Sequence, residues 1–229
     1  MKTLLLLSVV FLSFHCQIPS AKVDKEKNEE KLSYLALGDS YTIGTKIVLQ
    51  NSYPYQLVDS LKNYDCAVNK PQIIAQNGWT TADLLEGIQS ADIENETYDI
   101  VTLLIGVNNQ YQGRGIEEYK KEYKELLNKA IQFAGGDKSH VFVLSIPDYG
   151  YTPFARKNQK SISESITIFN AACQTITKNN DVMFYNITPI TREVENHPEY
   201  VAKDGLHPSK KLYARWINSI VLPLDNAIK

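Results

Sequence analysis

A serine that attacks a carbonyl needs a base within hydrogen-bond reach, an acid that holds the base in one tautomer, and donors aimed at the developing oxyanion. Four histidines could supply the base. His15 falls in an apolar leader, His140 opens a strand-like run and so belongs at the wrong end of a sheet, and His197, in Glu195-Asn196-His197-Pro198, reads as an exposed loop residue. His207 stands in Asp204-Gly205-Leu206-His207-Pro208. At that separation, across a glycine-containing turn, the Asp204 carboxylate can fold back onto Nδ1–H while Nε2 faces a nucleophile. The nucleophile candidate is Ser40, in Gly38-Asp39-Ser40-Tyr41-Thr42, where a glycine-flanked turn lets the hydroxyl project beside a free backbone N–H. Each residue also has a plainer reading: serine in a strand-to-helix turn is more often a cap, and Asp204 could cap a helix or face solvent.

Two further segments could donate to an oxyanion. Asn77-Gly78 could be a hairpin turn, but Thr80 and Asp83 have capping-box spacing, so a helix start follows it and the Gly78 N–H is free to point into a crevice. Asn108, in Gly106-Val107-Asn108-Asn109, offers a side-chain amide directly after an apolar run. Loop polarity is the ordinary role of asparagine. As a preorganised donor, though, such an amide contributes about 3–4 kcal/mol to a transition state.

These segments share a position. Strand-like runs at Ser33–Leu37, Gln72–Gln76, Asp99–Ile105, Val141–Ile146 and Val182–Tyr185 alternate with helical stripes. Ile116, Tyr119, Tyr123, Leu126, Leu127 and Ala130 keep a 3.6-residue period, as do Ile162 to Ile176 and Leu212 to Val221, the last with Ser209 as its N-cap. The pattern predicts an α/β fold: a single three-layer α/β/α domain with a five-stranded, mainly parallel, flavodoxin-like sheet. Ligands of such sheets sit beyond the carboxyl ends of the strands, where Ser40, Gly78 and Asn108 fall. No phosphate-cradling GxxxxGK[ST] or GxGxxG accompanies them, which argues against a nucleotide binder.

Composition bounds the partners. The 229 residues carry 24 Lys+Arg and 26 Asp+Glu, a formal net charge of -2, so no basic field would attract a polyanion and nucleic acid is excluded as a partner. Lys2 followed by the apolar run Leu4 to Leu12 reads as an export signal over residues 1–16, too short to span a bilayer. Cys16 is either the lipid-modified first residue of a bacterial lipoprotein or, with His15 where a small residue usually stands, part of a leader cleaved a few residues later. The charged stretch 17–31 reads as a tether, leaving residues 32–229 as the folded domain. The expected location is therefore the periplasm or cell envelope, otherwise the exterior. Cys66 and Cys173 could pair there, but Cys173 falls on a helix's apolar face, so buried free thiols are an equal expectation. No cysteine–histidine cluster suggests a metal.

Taken together and in order, Gly38-Asp39-Ser40, Gly78, Gly106-Val107-Asn108 and Asp204 to Pro208 resemble the blocks of the SGNH (GDSL-type) hydrolases. The resemblance spans nearly the whole folded segment. It implies Ser40 as nucleophile, Asp204 and His207 as the rest of a triad, and the Ser40 N–H, Gly78 N–H and Asn108 amide as an oxyanion hole, with no cofactor or metal. Asp39 is expected to shape the turn. The third block departs from the family's GxND, with Asn109 in place of the aspartate, which leaves the ordering of the Asn108 loop open. The implied activity is hydrolysis of carboxylic esters, with small-molecule, lipid or glycan esters as substrates. Ile146-Pro147-Asp148-Tyr149-Gly150 resembles the lysophospholipase-like branch, and Trp79, Tyr111, Tyr149, Tyr151 and Phe154 are candidates to line the pocket. A carbohydrate O-acetylesterase is the alternative, and a catalytically silent surface binding module is the alternative of another class.

Overall fold

The computed structural model of the protein describes residues 31–229. The leader read over 1–16, Cys16, and all of the tether except Lys31 lie outside the described residues.

Five strands, β1 (Tyr34–Gly38), β2 (Gln72–Ala75), β3 (Ile100–Leu104), β4 (Val141–Leu144) and β5 (Met183–Tyr185), form one sheet of order β2-β1-β3-β4-β5. Every pairing is parallel. All five predicted strands are present, with ends shifted by a residue or two. The three central strands are buried along their whole length, whereas β2 and β5 at the edges are partly exposed. This follows from a sheet covered on both faces: interior strands must be apolar on both sides.

Among the described residues, eight α-helices follow the strands: α1 (Ser40–Ile43), α2 (Tyr53–Leu61), α3 (Thr81–Ser90), α4 (Val107–Tyr111), α5 (Ile116–Phe133), α6 (Gln159–Asn179), α7 (Thr188–Arg192) and α8 (Lys210–Ala227). On one face α2 packs along α8. Leu57 and Leu61 of α2 and Trp216, Ile217 and Ile220 of α8 are buried there, and the hydroxyls of Tyr34 and Tyr53 meet on Thr102 at 2.9 and 3.2 Å. The other layer joins α5 to α3 and α6. Tyr119, Tyr123, Leu126 and Leu127 of α5 and Ile166, Phe169 and Cys173 of α6 are buried, as their spacing predicts. Cys66 and Cys173 are both buried and free.

The sheet order determines where a ligand can sit. The chain leaves β1 for β2 on one side and crosses back to β3 on the other, so the connections after β1 and β3 diverge and open a crevice at their carboxyl ends. Close approach at that point requires a glycine. Gly38 is in register with Leu104, and a Cβ there would stand 2.1 Å from Thr42 Oγ1 and 2.4 Å from the Leu104 carbonyl oxygen.

Candidate active site

At the end of β1, Asp39 caps α1 by accepting the Tyr41 N–H at 2.9 Å. Ser40 is therefore the first residue of a helical turn, where the backbone N–H has no intrahelical acceptor. Only 4% of Ser40 is exposed, and its side chain borders a cavity of about 260 Å³. Asp39 is fully buried, with no protein partner on Oδ2. Burial pushes its pKa up to about 7, against the lowering effect of the Tyr41 N–H. Its carboxylate shapes the turn from inside the core and is not among the residues that line the cavity.

The loop before α8 brings His207 to the same cavity. Asp204 Oδ1 accepts the backbone N–H groups of Leu206 and His207 at 3.0 and 3.1 Å, and Oδ2 lies 2.6 Å from His207 Nδ1. The loop closes on itself through Ala202 N–H to the His207 carbonyl at 2.7 Å. Nδ1 is thereby engaged, and Nε2 is the ring nitrogen left for the cavity. His207 is 8% exposed, and its imidazole packs against the Tyr41 ring at 5.7 Å, which in turn packs against Trp216. Burial raises the Asp204 pKa, but the hydrogen bonds from His207 and the two backbone N–H groups, with the His207 charge, outweigh it and lower the value overall.

After β2, Gly78 adopts φ +86°, and nothing lies within 4 Å of where its Cβ would stand. That left-handed conformation favours glycine, and it leaves the backbone open to the cavity it lines. Thr80 caps α3 in a full capping box with Asp83. After β3, Asn108 also lines the cavity, and its Nδ2 donates to the Trp79 carbonyl at 2.8 Å. That bond uses one amide proton and orients the other. Asn109, standing where the resemblance calls for aspartate, is fully buried: its Oδ1 accepts the Thr81 N–H at 3.0 Å and its Nδ2 donates to Thr81 Oγ1 at 2.6 Å.

Ser40, Gly78, Asn108 and His207 thus border one cavity, with Asp204 bonded to His207 behind it. Apart from Asn77, the rest of the lining is apolar or aromatic, including Tyr41, Val107, Tyr149 and Leu206, and it carries no lysine, arginine, aspartate or glutamate. Tyr111 and Phe154 stand at its rim, 62% and 55% exposed. Two of the aromatic candidates lie elsewhere. Trp79 lies over Gly87, its ring within 2.3 Å of where a Cβ would stand, and Tyr151 lies beneath the Arg192 guanidinium at 5.6 Å. Asp148 has a structural place: fully buried, it accepts from the Gly150 N–H and Arg192 Nε at 3.1 and 2.9 Å.

The other histidines lie apart. His140 ends a 3₁₀ turn just before β4, at the sheet's opposite end, and His197 is half exposed beside Glu199 and Tyr200. Among the described residues no group of three His, Cys, Asp or Glu side chains could hold a metal ion. Leu206 and Val107 went unremarked in the sequence because aliphatic residues beside polar motifs carry no chemical signal of their own.

A family model described as the GDSL-like lipase/acylhydrolase family matches residues 36–215. No curated protein matches the chain. Among solved structures, the psychrotrophic esterase EstA from a Pseudoalteromonas species superposes with a TM-score of 0.66 at 14% identity, covering 86% of this chain and 98% of that one. The lipase/acylhydrolase from Enterococcus faecalis does so with 0.66 at 19%, covering 85% and 96%. An acetyl-xylooligosaccharide esterase from Geobacillus gives 0.65 at 16%, covering 84% and 94%. At these identities the likeness is one of fold.

Proposed function

The chain belongs to the GDSL-like lipase/acylhydrolase family, a family of ester hydrolases, and on that premise we propose that it hydrolyses carboxylic esters by transferring the acyl group through Ser40 to water. The observation that supports this most is the Asp204–His207 pair, 2.6 Å apart, on the cavity that Ser40 also borders. His207 Nε2 takes the proton from Ser40 Oγ as the oxygen attacks the ester carbonyl. Asp204 keeps Nδ1 protonated and stabilises the imidazolium that forms. The tetrahedral oxyanion accepts from the N–H groups of Ser40 and Gly78 and from the free amide proton of Asn108. Collapse expels the alcohol, protonated by His207, and leaves an acyl ester on Ser40. Water, deprotonated by His207, then releases the acid and restores the serine.

The uncharged, largely apolar lining favours a neutral acyl group, and the exposed Tyr111 and Phe154 suit an apolar or flat alcohol portion. Lipid or simple carboxylic esters are the substrate class we assign. Deacetylation of sugars is the second reading, favoured by the same aromatic rim, on which a sugar ring could stack. Export through the leader, with or without lipid attachment at Cys16, would bring the enzyme to such esters outside the cytoplasm.

Fluorophosphonate labelling of the folded protein tests the nucleophile: one label is expected, and none after Ser40→Ala. A folded wild-type protein that takes no label would overturn the assignment. A panel of p-nitrophenyl esters of increasing chain length, run beside acetylated xylooligosaccharides, separates the two substrate readings.

A further inference from the structure

The loop that carries Gly78 and the helical turn that carries Asn108 are tied together behind the cavity, and the tie has a direction. Thr81 N–H can only donate, so the Asn109 oxygen must face it and the Asn109 NH₂ must face the Thr81 hydroxyl, as the bonds of 3.0 and 2.6 Å record. Thr81 Oγ1 accepts that amide proton and has one proton of its own, which it gives to Glu122 Oε2 on α5. A carboxylate accepts only, so the chain ends there. Asn109 and Thr81 are fully buried and Glu122 is half-buried. In such surroundings an unmade hydrogen bond is expensive, which makes the direction of the chain matter.

We propose that Glu122 is a positioning residue for the two oxyanion-facing segments, acting through Thr81 and Asn109, and that the carboxylate at position 122 is what makes an asparagine, rather than an aspartate, the fitting residue at 109. The role rests on the reading of Gly78 and Asn108 as oxyanion donors. Asn109 immediately follows Asn108 in α4, and Thr81 follows the Trp79 carbonyl that Asn108 grips at 2.8 Å. Loss of the tie therefore lets both donors drift.

The direction of the chain sets an unusual expectation for a pair of exchanges. Asn109→Asp alone sets two carboxylates against one hydroxyl proton. Glu122→Gln alone keeps an acceptor for that proton. Made together, they give an unbroken chain running the opposite way: the new amide at 122 donates to Thr81 Oγ1, and Thr81 donates to the new carboxylate at 109.

The test is a double-mutant cycle read in kcat, KM and thermal midpoint on a short-chain p-nitrophenyl ester. Glu122→Gln is expected to lower kcat about threefold, and Asn109→Asp about ten- to a hundredfold with KM within about twofold, the signature of misplaced transition-state donors. The double variant is expected to return to within about fivefold of wild type in kcat and to recover the thermal midpoint. A double variant no better than Asn109→Asp overturns the chain. Recovery of the midpoint without recovery of kcat overturns the positioning role. Should Asn109→Asp be insoluble, soluble folded double variant is the expected rescue, and its insolubility overturns the proposal. Labelling of wild type at Ser40 by the fluorophosphonate separates these failures from that of the underlying reading: additive losses in a labelled enzyme reject the chain, whereas a folded, unlabelled wild type rejects the reading and the positioning role with it.

Discussion

Two residues at the carboxyl ends of β1 and β3, Asp39 and Asn108, make the most discriminating expectations. Asn108 spends one amide proton on Trp79 and keeps one for the cavity, so Asn108→Ala is expected to lower kcat about 10²–10³-fold with a small change in KM. A KM effect alone would make it a binding residue. Asp39 bears on stability. Its folded-state pKa of about 7 lies above its ordinary 3.8. Between those values the folded protein holds a proton that the unfolded chain has released, so stability is fully present below about pH 4 and is lost as pH rises through 7. Three units at about 1.4 kcal/mol each make the loss roughly 4 kcal/mol. Thermal midpoints measured from about pH 5 to pH 8 should fall in wild type and fall much less in Asp39→Asn. Asp204 acts in the opposite sense: its lowered pKa gives stability above the ordinary aspartate value, lost as pH falls below it. At this scale Ser40, His207 and Asp204 stood out in the sequence as candidates because few residue types can do acyl transfer, and the structure brings them together at one cavity. Glu122 and Thr81 did not stand out, because a glutamate and a threonine 41 positions apart share no pattern until α3 and α5 pack together.

Elements decide how those residues are aimed. Gly38 and Gly78 look alike in the sequence, yet the structure separates their reasons. A Cβ at Gly38 would strike Thr42 and the backbone of β3, so Gly38→Ala is expected to lower unfolding free energy by about 3 kcal/mol or more. Gly78 has open space around it and only its positive φ to protect, so Gly78→Ala should cost about 1–2 kcal/mol. Chemical denaturation of the two variants checks the order; equal losses would contradict it. The helices with long apolar stripes, α5, α6 and α8, were plain in the sequence. The helix α2 was missed, although Pro54 in its first turn and the Leu57–Leu61 spacing were available signals. It spans nine residues, and a stripe that short is hard to tell from a loop between strands.

The molecule as a whole is two helical layers on a fully parallel sheet, with one thiol in each layer's surroundings. Cys173 lies among Tyr119, Tyr123 and Thr177, between α5 and α6, and burial pushes its thiol pKa up to about 11. Cys66 lies near Asp225 and Lys229 of the α8 end. Neither should react with a thiol reagent in the folded protein, both should react on unfolding, and a reductant should leave the thermal midpoint unchanged; reagent uptake by the native fold would contradict their burial. The sequence by itself determined the fold class and the five strands and singled out Ser40, Gly78, Asn108 and His207, because hydrophobic periodicity and rare chemical groups are local signals. Tertiary structure alone decided which aromatics face the cavity, seating Trp79 on Gly87 and Tyr151 under Arg192 while Tyr149 turned inward. It also decided how Asn109 is satisfied. Both depend on which side chains from distant segments compete for the same space and the same proton, and no window of sequence contains that competition.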